Sequence, residues 1–208
     1  LVGCGVPTGW GAAVNTAEVK AGDTVVVSGI GGIGINAVQG AALAGAKNVI
    51  AIDPLPNKRE KAMELGATHA FASPAEAMQT ITDLTRGQMA DSAILTPGLM
   101  TEEIVQGGFD AVGKGGIVAL VGLNKMEEMS VHLSGSVMTL WRKQVRGSLF
   151  GDCNPTIDIP RILGLYQSGD IKLDELVTKT YSLEQVNEGY DALLNGENIR
   201  GVLVHEHE

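Results

Sequence analysis

The stretch "TVVVSGIGGIG" (24–34) constrains the fold more than any other part of this chain. A short β-branched run ends in glycine, which is the pattern of a buried parallel strand. Four glycines follow as G-x-G-G-x-G, Gly29, Gly31, Gly32 and Gly34, with Ile30 and Ile33 between them. The residues after them, to Gly45, are small and apolar at helical spacing. In such a turn the first glycine permits the tight bend, the second lets backbone approach a pyrophosphate, and the last lets the helix pack on the strand. The free N–H groups and positive dipole end of that helix suit phosphates. A lone motif of this kind is weak, but a strand before it and a helix after it are the context that confirms it. "NVIAID" (48–53) reads as a second buried strand ending on Asp53, roughly 20 residues beyond Gly34. An acid there accepts from both ribose hydroxyls of an adenosine and repels a 2′-phosphate, which favours NAD over NADP. The plainer reading is a packing turn with Asp53 as a loop residue. Lys58 could also reach the ribose, although a lone lysine at a helix start is more often a solvated charge.

The alternation continues. Residues 57–66 read as a charged helix closed by Gly66, 69–72 as a short strand, and 74–85 as a helix with proline in its first turn. Residues 91–96 read as a strand, 101–112 as a helix and 115–123 as a strand. Strands and helices joined by short connections give an α/β fold, a doubly wound parallel sheet of the Rossmann type. After Asn124 the spacing changes. Residues 145–151 read as one more strand, 159–169 and 182–196 as helices, and 201–206 as a final strand. The expected division is a cofactor-binding domain over 1–149 and a C-terminal appendage over 150–208.

Composition narrows the function classes. Hydrophobic residues make up 44% and charged residues 19%, so a packed core is expected. The net charge of −9 speaks against a nucleic-acid surface, which needs clustered Lys and Arg. There is no apolar run of about 18 residues and hence no expected membrane span. The two cysteines, Cys4 and Cys153, are far apart, which suits a reducing cytoplasmic setting rather than a disulfide framework. The start "LVGCGV" lacks the features of a signal peptide and begins in mid-pattern, as though a longer protein continued upstream.

With these residues in hand, the chain resembles the zinc-containing alcohol dehydrogenases of the medium-chain dehydrogenase/reductase family. "GCGVPTGWGAAVNTA", "SGIGGIG", "IAID", "GGIVALVGL", "VRGSLFG" and "NIRGVLV" match its segments in order and spacing. The resemblance implies that Cys4 is the last protein ligand of a catalytic zinc and that Thr8 lies beside the nicotinamide. It implies pyrophosphate and ribose contacts at Gly29, Ile30, Gly31, Gly32, Ile33, Gly34, Asp53 and Lys58. It gives Val121, Gly122 and Leu123 backbone contacts to the nicotinamide amide, sets Leu149 and Phe150 near that ring, and sets Arg200 near the pyrophosphate. A catalytic zinc takes three protein ligands and one open position, so the other ligands are expected upstream of Leu1. Cys153 falls where the family has no zinc ligand and reads as structural; without the resemblance, Cys4 too reads as a small buried side chain. His69 and His132 read as strand-edge residues without a catalytic part, "HEHE" (205–208) as a frayed end, and the methionines as core filler.

The implied reaction is hydride transfer between a small primary alcohol or aldehyde and NAD. "GCGVPTGWGAA" and "AIDPLPNKREKA" resemble actinobacterial members assayed with an artificial nitroso acceptor, in which NAD is held and recycled in place. A glutathione- or mycothiol-dependent formaldehyde dehydrogenase, a non-catalytic NAD-binding module and a zinc-free quinone-reductase type are the rivals. The strand around 145–149 is expected to pair with a two-fold mate, giving a homo-oligomer, at least a dimer.

Overall fold

A computed structural model describes residues 1–125, 127 and 130–205. The chain opens with α1 (Gly5–Gly11), which widens into one π-helical turn over Ala12–Thr16. β1 (Thr24–Ser28), α2 (Gly34–Leu43), β2 (Asn48–Ile52), α3 (Pro56–Glu64), β3 (His69–Phe71), α4 (Pro74–Leu84), β4 (Ala90–Leu95), α5 (Glu102–Ala111) and β5 (Val112–Leu120) then alternate. α6 (Gly135–Trp141) and β6 (Gln144–Gly147) complete the first sheet. α7 (Pro155–Ser168), β7 (Val177–Tyr181), α8 (Val186–Leu194) and β8 (Arg200–Leu203) follow.

The local reasons for these elements are visible. Ser73 accepts from the Glu76 amide at the start of α4, with Pro74 in the first turn. Thr101 caps α5 through the Ile104 amide. α7 starts on Asn154 and ends at Gly169, whose φ of 83° is the left-handed stop of a helix.

Six strands form one parallel sheet in the order β3-β2-β1-β4-β5-β6, and β7 and β8 form a separate parallel pair. Because side chains alternate along a strand, the central strands feed two cores. Val25, Val27, Val49, Ala51 and Ile94 face α1 and α2, while Val26, Ile50, Ile52 and Leu95 face α4 and α5. Burial on both faces is what makes these strands read as continuous apolar runs. Ile162, Ile171, Leu173, Leu176 and Ile199, from the C-terminal part, join the α1–α2 core. α1 crosses α2 at glycines, and a Cβ on Gly40 would lie 2.9 Å from the Trp10 carbonyl oxygen. No helix among the described residues is long and apolar enough to cross a membrane.

Several details differ from the sequence expectation. The strand expected over 145–151 stops at Gly147, because Phe150, Gly151 and Asp152 turn left-handed. β5 ends at Leu120, so Val121, Gly122 and Leu123 lie in the following loop. α6 is absent from that expectation; it has no fully buried residue and packs on the second core through half-buried Val137 and Met138. β7 is absent from it too, and three of its five positions are exposed. His132 is not at a strand edge; it sits exposed beside the first turn of α5, with Nδ1 3.3 Å from Glu102 Oε2. Met100 is core filler as expected, but Met63 is exposed, and Met126 and Met129 lie outside the described residues. Of "HEHE", only His205 is described.

Candidate dinucleotide cleft

The sheet order reverses between β1 and β4, and in open α/β sheets ligands bind in the crevice at the carboxyl ends of the strands there. The floor of that crevice is tight. Gly29 has φ of +91°, and a Cβ on it would lie 2.8 Å from the Pro97 nitrogen in the loop after β4. Thr96 Oγ1 donates to the Gly29 carbonyl at 2.6 Å. A Cβ on Gly34 would overlap that same carbonyl oxygen. Gly31 faces open space. Gly29 thus makes the bend and Gly34 the close packing, while nothing covers Gly31.

Asp53 follows β2 and is 5% exposed. Its Oδ2 accepts from the Ile30 amide at 2.8 Å and its Oδ1 from the Leu55 amide at 2.9 Å. The carboxylate is therefore fixed to the glycine turn on one side and to the β2–α3 turn on the other, and each oxygen keeps acceptor capacity. Arg59 clamps the second turn by donating to the Asp53 and Pro54 carbonyls, both at 2.8 Å. Lys58 is half-buried, with its ammonium facing Gly196 in the turn between α8 and β8. From β8, Arg200 lays its guanidinium against both Gly5 and Gly32, where a Cβ on either glycine would overlap it. Among the described residues Arg200 has no carboxylate within ion-pair distance. An unpaired guanidinium beside a phosphate-type turn suits a bidentate oxyanion.

The other end of the crevice is assembled from distant segments. Val121 and Gly122 both donate their amides to the Leu95 carbonyl, at 3.0 and 3.1 Å, and the Leu123 carbonyl accepts from the Met100 amide. Those amides are committed within the protein, so carbonyl oxygen is what Val121 can offer a ligand. Thr8 is buried and donates its hydroxyl to the Cys4 carbonyl at 2.7 Å. Leu149, 86% exposed, and Phe150 lie on the turn after β6. That turn is held by Asn15, Thr16 and Cys153, none of which stands out in the sequence as a site residue.

The cysteines differ. Cys4 is exposed at the first turn of α1. Cys153 is half-buried, with Sγ 3.4 Å from the Pro7 carbonyl oxygen. Burial pushes its thiol up to about 11, with help from the Asp158 and Asp152 carboxylates, so it is a protonated hydrogen-bond donor at neutral pH. No three His, Cys, Asp or Glu residues converge as a metal site among the described residues. A catalytic zinc needs three protein donors, so this donor set alone does not hold one.

A family profile described as "Zinc-binding dehydrogenase" matches residues 32–168. The chain is 63% identical over 205 residues to "NDMA-dependent alcohol dehydrogenase" of Amycolatopsis methanolica, covering 99% of this chain and 55% of that protein. A solved alcohol dehydrogenase zinc-binding domain protein from Burkholderia ambifaria superposes with a TM-score of 0.91 at 33% identity, over 99% of this chain and 55% of that one. A zinc-binding dehydrogenase from Sinorhizobium meliloti, solved bound to NADP, superposes with a TM-score of 0.75 at 26% identity, over 89% and 53%. The chain thus spans about half the length of the curated relatives it matches.

Proposed function

The chain belongs to the zinc-binding dehydrogenase family, and from that membership we propose that it is the cofactor-binding part of an NAD-dependent alcohol dehydrogenase. The observation that carries the reading is the buried Asp53 carboxylate, anchored by the Ile30 and Leu55 amides beside the glycine turn. Its acceptor oxygens suit the two ribose hydroxyls of the adenosine half and oppose a 2′-phosphate. Gly29–Gly34 and the dipole end of α2 then take the pyrophosphate, with the Arg200 guanidinium as counter-charge. Lys58 stands near the same ribose. Thr8, Val121, Gly122, Leu123, Leu149 and Phe150 border the nicotinamide end. The chemistry supplied with NAD in place is hydride exchange with the carbon of an alcohol or aldehyde, and the chain's own share is binding and orientation. NADP in the Sinorhizobium meliloti neighbour supports a nicotinamide cofactor; Asp53 is the reason to choose NAD here.

Cys4, exposed and next in sequence to the Gly5 that Arg200 covers, would supply one thiolate to a zinc whose other ligands come from polypeptide outside these 208 residues. The relatives' names support an alcohol or aldehyde as substrate. Residues 1–149 form the cofactor domain and 150–208 complete a second domain. The cavity of about 230 Å³ at β7, β8 and α8, bordered by Tyr181, Tyr190 and Leu193, and the exposed Leu194 nearby support that division. The outer edge of β6, flanked by exposed Leu140, Trp141 and Leu149, supports pairing with a second copy. Two unpaired cysteines suit a reducing, cytoplasmic compartment.

Calorimetric titration of the 208-residue protein with NAD, NADP and ADP-ribose tests the reading. NAD should bind at least about tenfold more tightly than NADP, and Asp53→Ser should narrow that gap. Absence of binding by both NAD and ADP-ribose would remove it.

A further inference from the structure

The turn after β6 is held in a conformation that its residues do not favour. Phe150, Gly151 and Asp152 have φ of 56°, 67° and 51°, three successive left-handed residues of which only the glycine adopts that region freely. Such backbone persists only where its surroundings over-determine it. Those surroundings are the π-helical turn Ala12–Thr16 and the end of α1. Asn15 Nδ2 donates to the Gly151 carbonyl at 3.0 Å. Thr16 Oγ1, on a residue only 2% exposed, donates to Asp152 Oδ2 at 2.6 Å. A carboxylate has no proton to give, so the single hydroxyl proton of Thr16 goes to Asp152. Ser148 Oγ, 2.7 Å from Thr16 Oγ1, is then the donor to it. Beneath the turn the two backbones touch, and a Cβ on Gly151 would lie 2.8 Å from both the Gly11 Cα and the Thr8 carbonyl oxygen.

π-helical turns collect at functional sites. This one places Asn15 and Thr16 together on a segment more than 130 residues distant in sequence. The segment it grips carries Leu149 and Phe150 at the carboxyl end of β6, on the far side of the β1–β4 crevice from Asp53.

Resting on the NAD reading above, we propose that Thr16, with Ser148 and Asp152, is a positioning clasp for the nicotinamide half of the cofactor. The clasp does not touch the ligand. It fixes the left-handed turn, and through the turn it sets Leu149 and Phe150. Loosening it penalises ligands that reach the turn and spares those that end at the pyrophosphate, whose partners are Gly29–Gly34, Asp53 and Arg200.

The test compares NAD with ADP-ribose, which lacks the nicotinamide, by calorimetry on the 208-residue protein. Amide hydrogen exchange of residues 148–153 without ligand is measured alongside. Thr16→Val keeps the shape and removes the hydroxyl; Thr16→Ser keeps the hydroxyl; Asp152→Ala cuts the clasp from its exposed side, where folding is not at risk. Thr16→Val and Asp152→Ala should each weaken NAD about tenfold, the worth of one charge-assisted hydrogen bond, and leave ADP-ribose within about twofold. Exchange in 148–153 should speed up in both, and Thr16→Ser should match the parent. Equal weakening of the two ligands, unchanged NAD affinity, or unchanged exchange would each overturn the clasp. A parent that binds neither ligand removes the NAD reading and the clasp with it. A parent that binds both, with variants that treat them alike, removes the clasp alone.

Discussion

The two ends of the crevice are built in opposite ways. The end around Asp53 draws mostly on near neighbours: Gly29–Gly34, Asp53 and Arg59 lie between β1 and α3, and the Asp53 carboxylate bridges the glycine turn and the β2–α3 turn. The end around Leu149 and Phe150 is assembled across the chain. Thr16 meets Ser148 and Asp152, Asn15 meets Gly151, and Cys153 meets Pro7. The Asp53 end takes most of its contacts from short-range sequence, with Thr96 and Arg200 added from farther along the chain, and its strength lies in backbone geometry that glycine permits. A non-local end depends on two elements packing in one register, and side-chain hydrogen bonds hold it there. Damage at the first should therefore be severe and general, and damage at the second milder and ligand-selective.

The largest effect is expected at the local end. In Gly34→Ala the new methyl overlaps the Gly29 carbonyl oxygen and lies 2.6 Å from Thr96 Oγ1. Backbone on one side and a committed hydroxyl on the other leave it nowhere to go. The cost should reach about 3 kcal/mol, the upper part of the overpacking range. NAD and ADP-ribose binding should fail together. Thermal unfolding with calorimetry checks this; an unchanged Tm with intact binding would show that the turn yields, and the contrast between the ends would lose its stronger half.

A smaller and more selective effect is expected at the other end. Gly151→Ala puts a Cβ 2.5 Å from the Pro7 carbonyl oxygen at φ of 67°. Strain at one left-handed position with a neighbour that must shift costs about 2 kcal/mol. The six-stranded sheet and Asp53 are elsewhere, so ADP-ribose should still bind while NAD weakens. If ADP-ribose is lost as well, the two ends are coupled through α1, and the comparison has to be redrawn as one rigid cleft.

The same contrast explains what the sequence discloses. The strand–glycine–helix–strand–acid order of 24–53 is a short-range pattern, and in the structure Gly29 makes the bend, Gly34 the close packing and Asp53 an anchor between two turns. The nine alternating elements from β1 to β5 were legible for the same reason, because both faces of each strand are apolar. The turn at 149–152 was not. "VRGSLFG" has the β-branched and apolar content of a strand, and the left-handed run that ends β6 at Gly147 is imposed by Asn15 and Thr16. Nothing in "AVNT" marks it as a partner for "LFGD". α6 is hard to read because it has no fully buried residue and packs on the core only through half-buried Val137 and Met138, and β7 because three of its five positions are exposed. The resemblance to the family sets Cys4 apart from Cys153 in the sequence, and the structure adds that Cys4 is exposed and Cys153 half-buried.

The smallest effect sharpens that last difference. Burial raises the Cys153 thiol from its ordinary 9.0 to about 11. A group whose folded pKa is raised contributes stability that is fully present below its unfolded pKa and is lost as pH rises through the folded value. The window is therefore pH 9 to about 11, with stability falling as pH rises. Full linkage over two pKa units would be about 2.7 kcal/mol, but the thiol is only half-buried, and solvent screening reduces the expected loss to about 1 kcal/mol. Denaturant unfolding of the parent and of Cys153→Ser at pH 8 and at pH 11 isolates it, because the serine hydroxyl does not titrate there. The parent should lose more stability across the interval than the variant. At pH 8, iodoacetamide should modify Cys4 and leave Cys153. Equal slopes and equal labelling would mean that Cys153 is as open as Cys4, that the packing of Pro7 against the 149–153 turn is loose in solution, and that this end of the crevice is not held together by that contact.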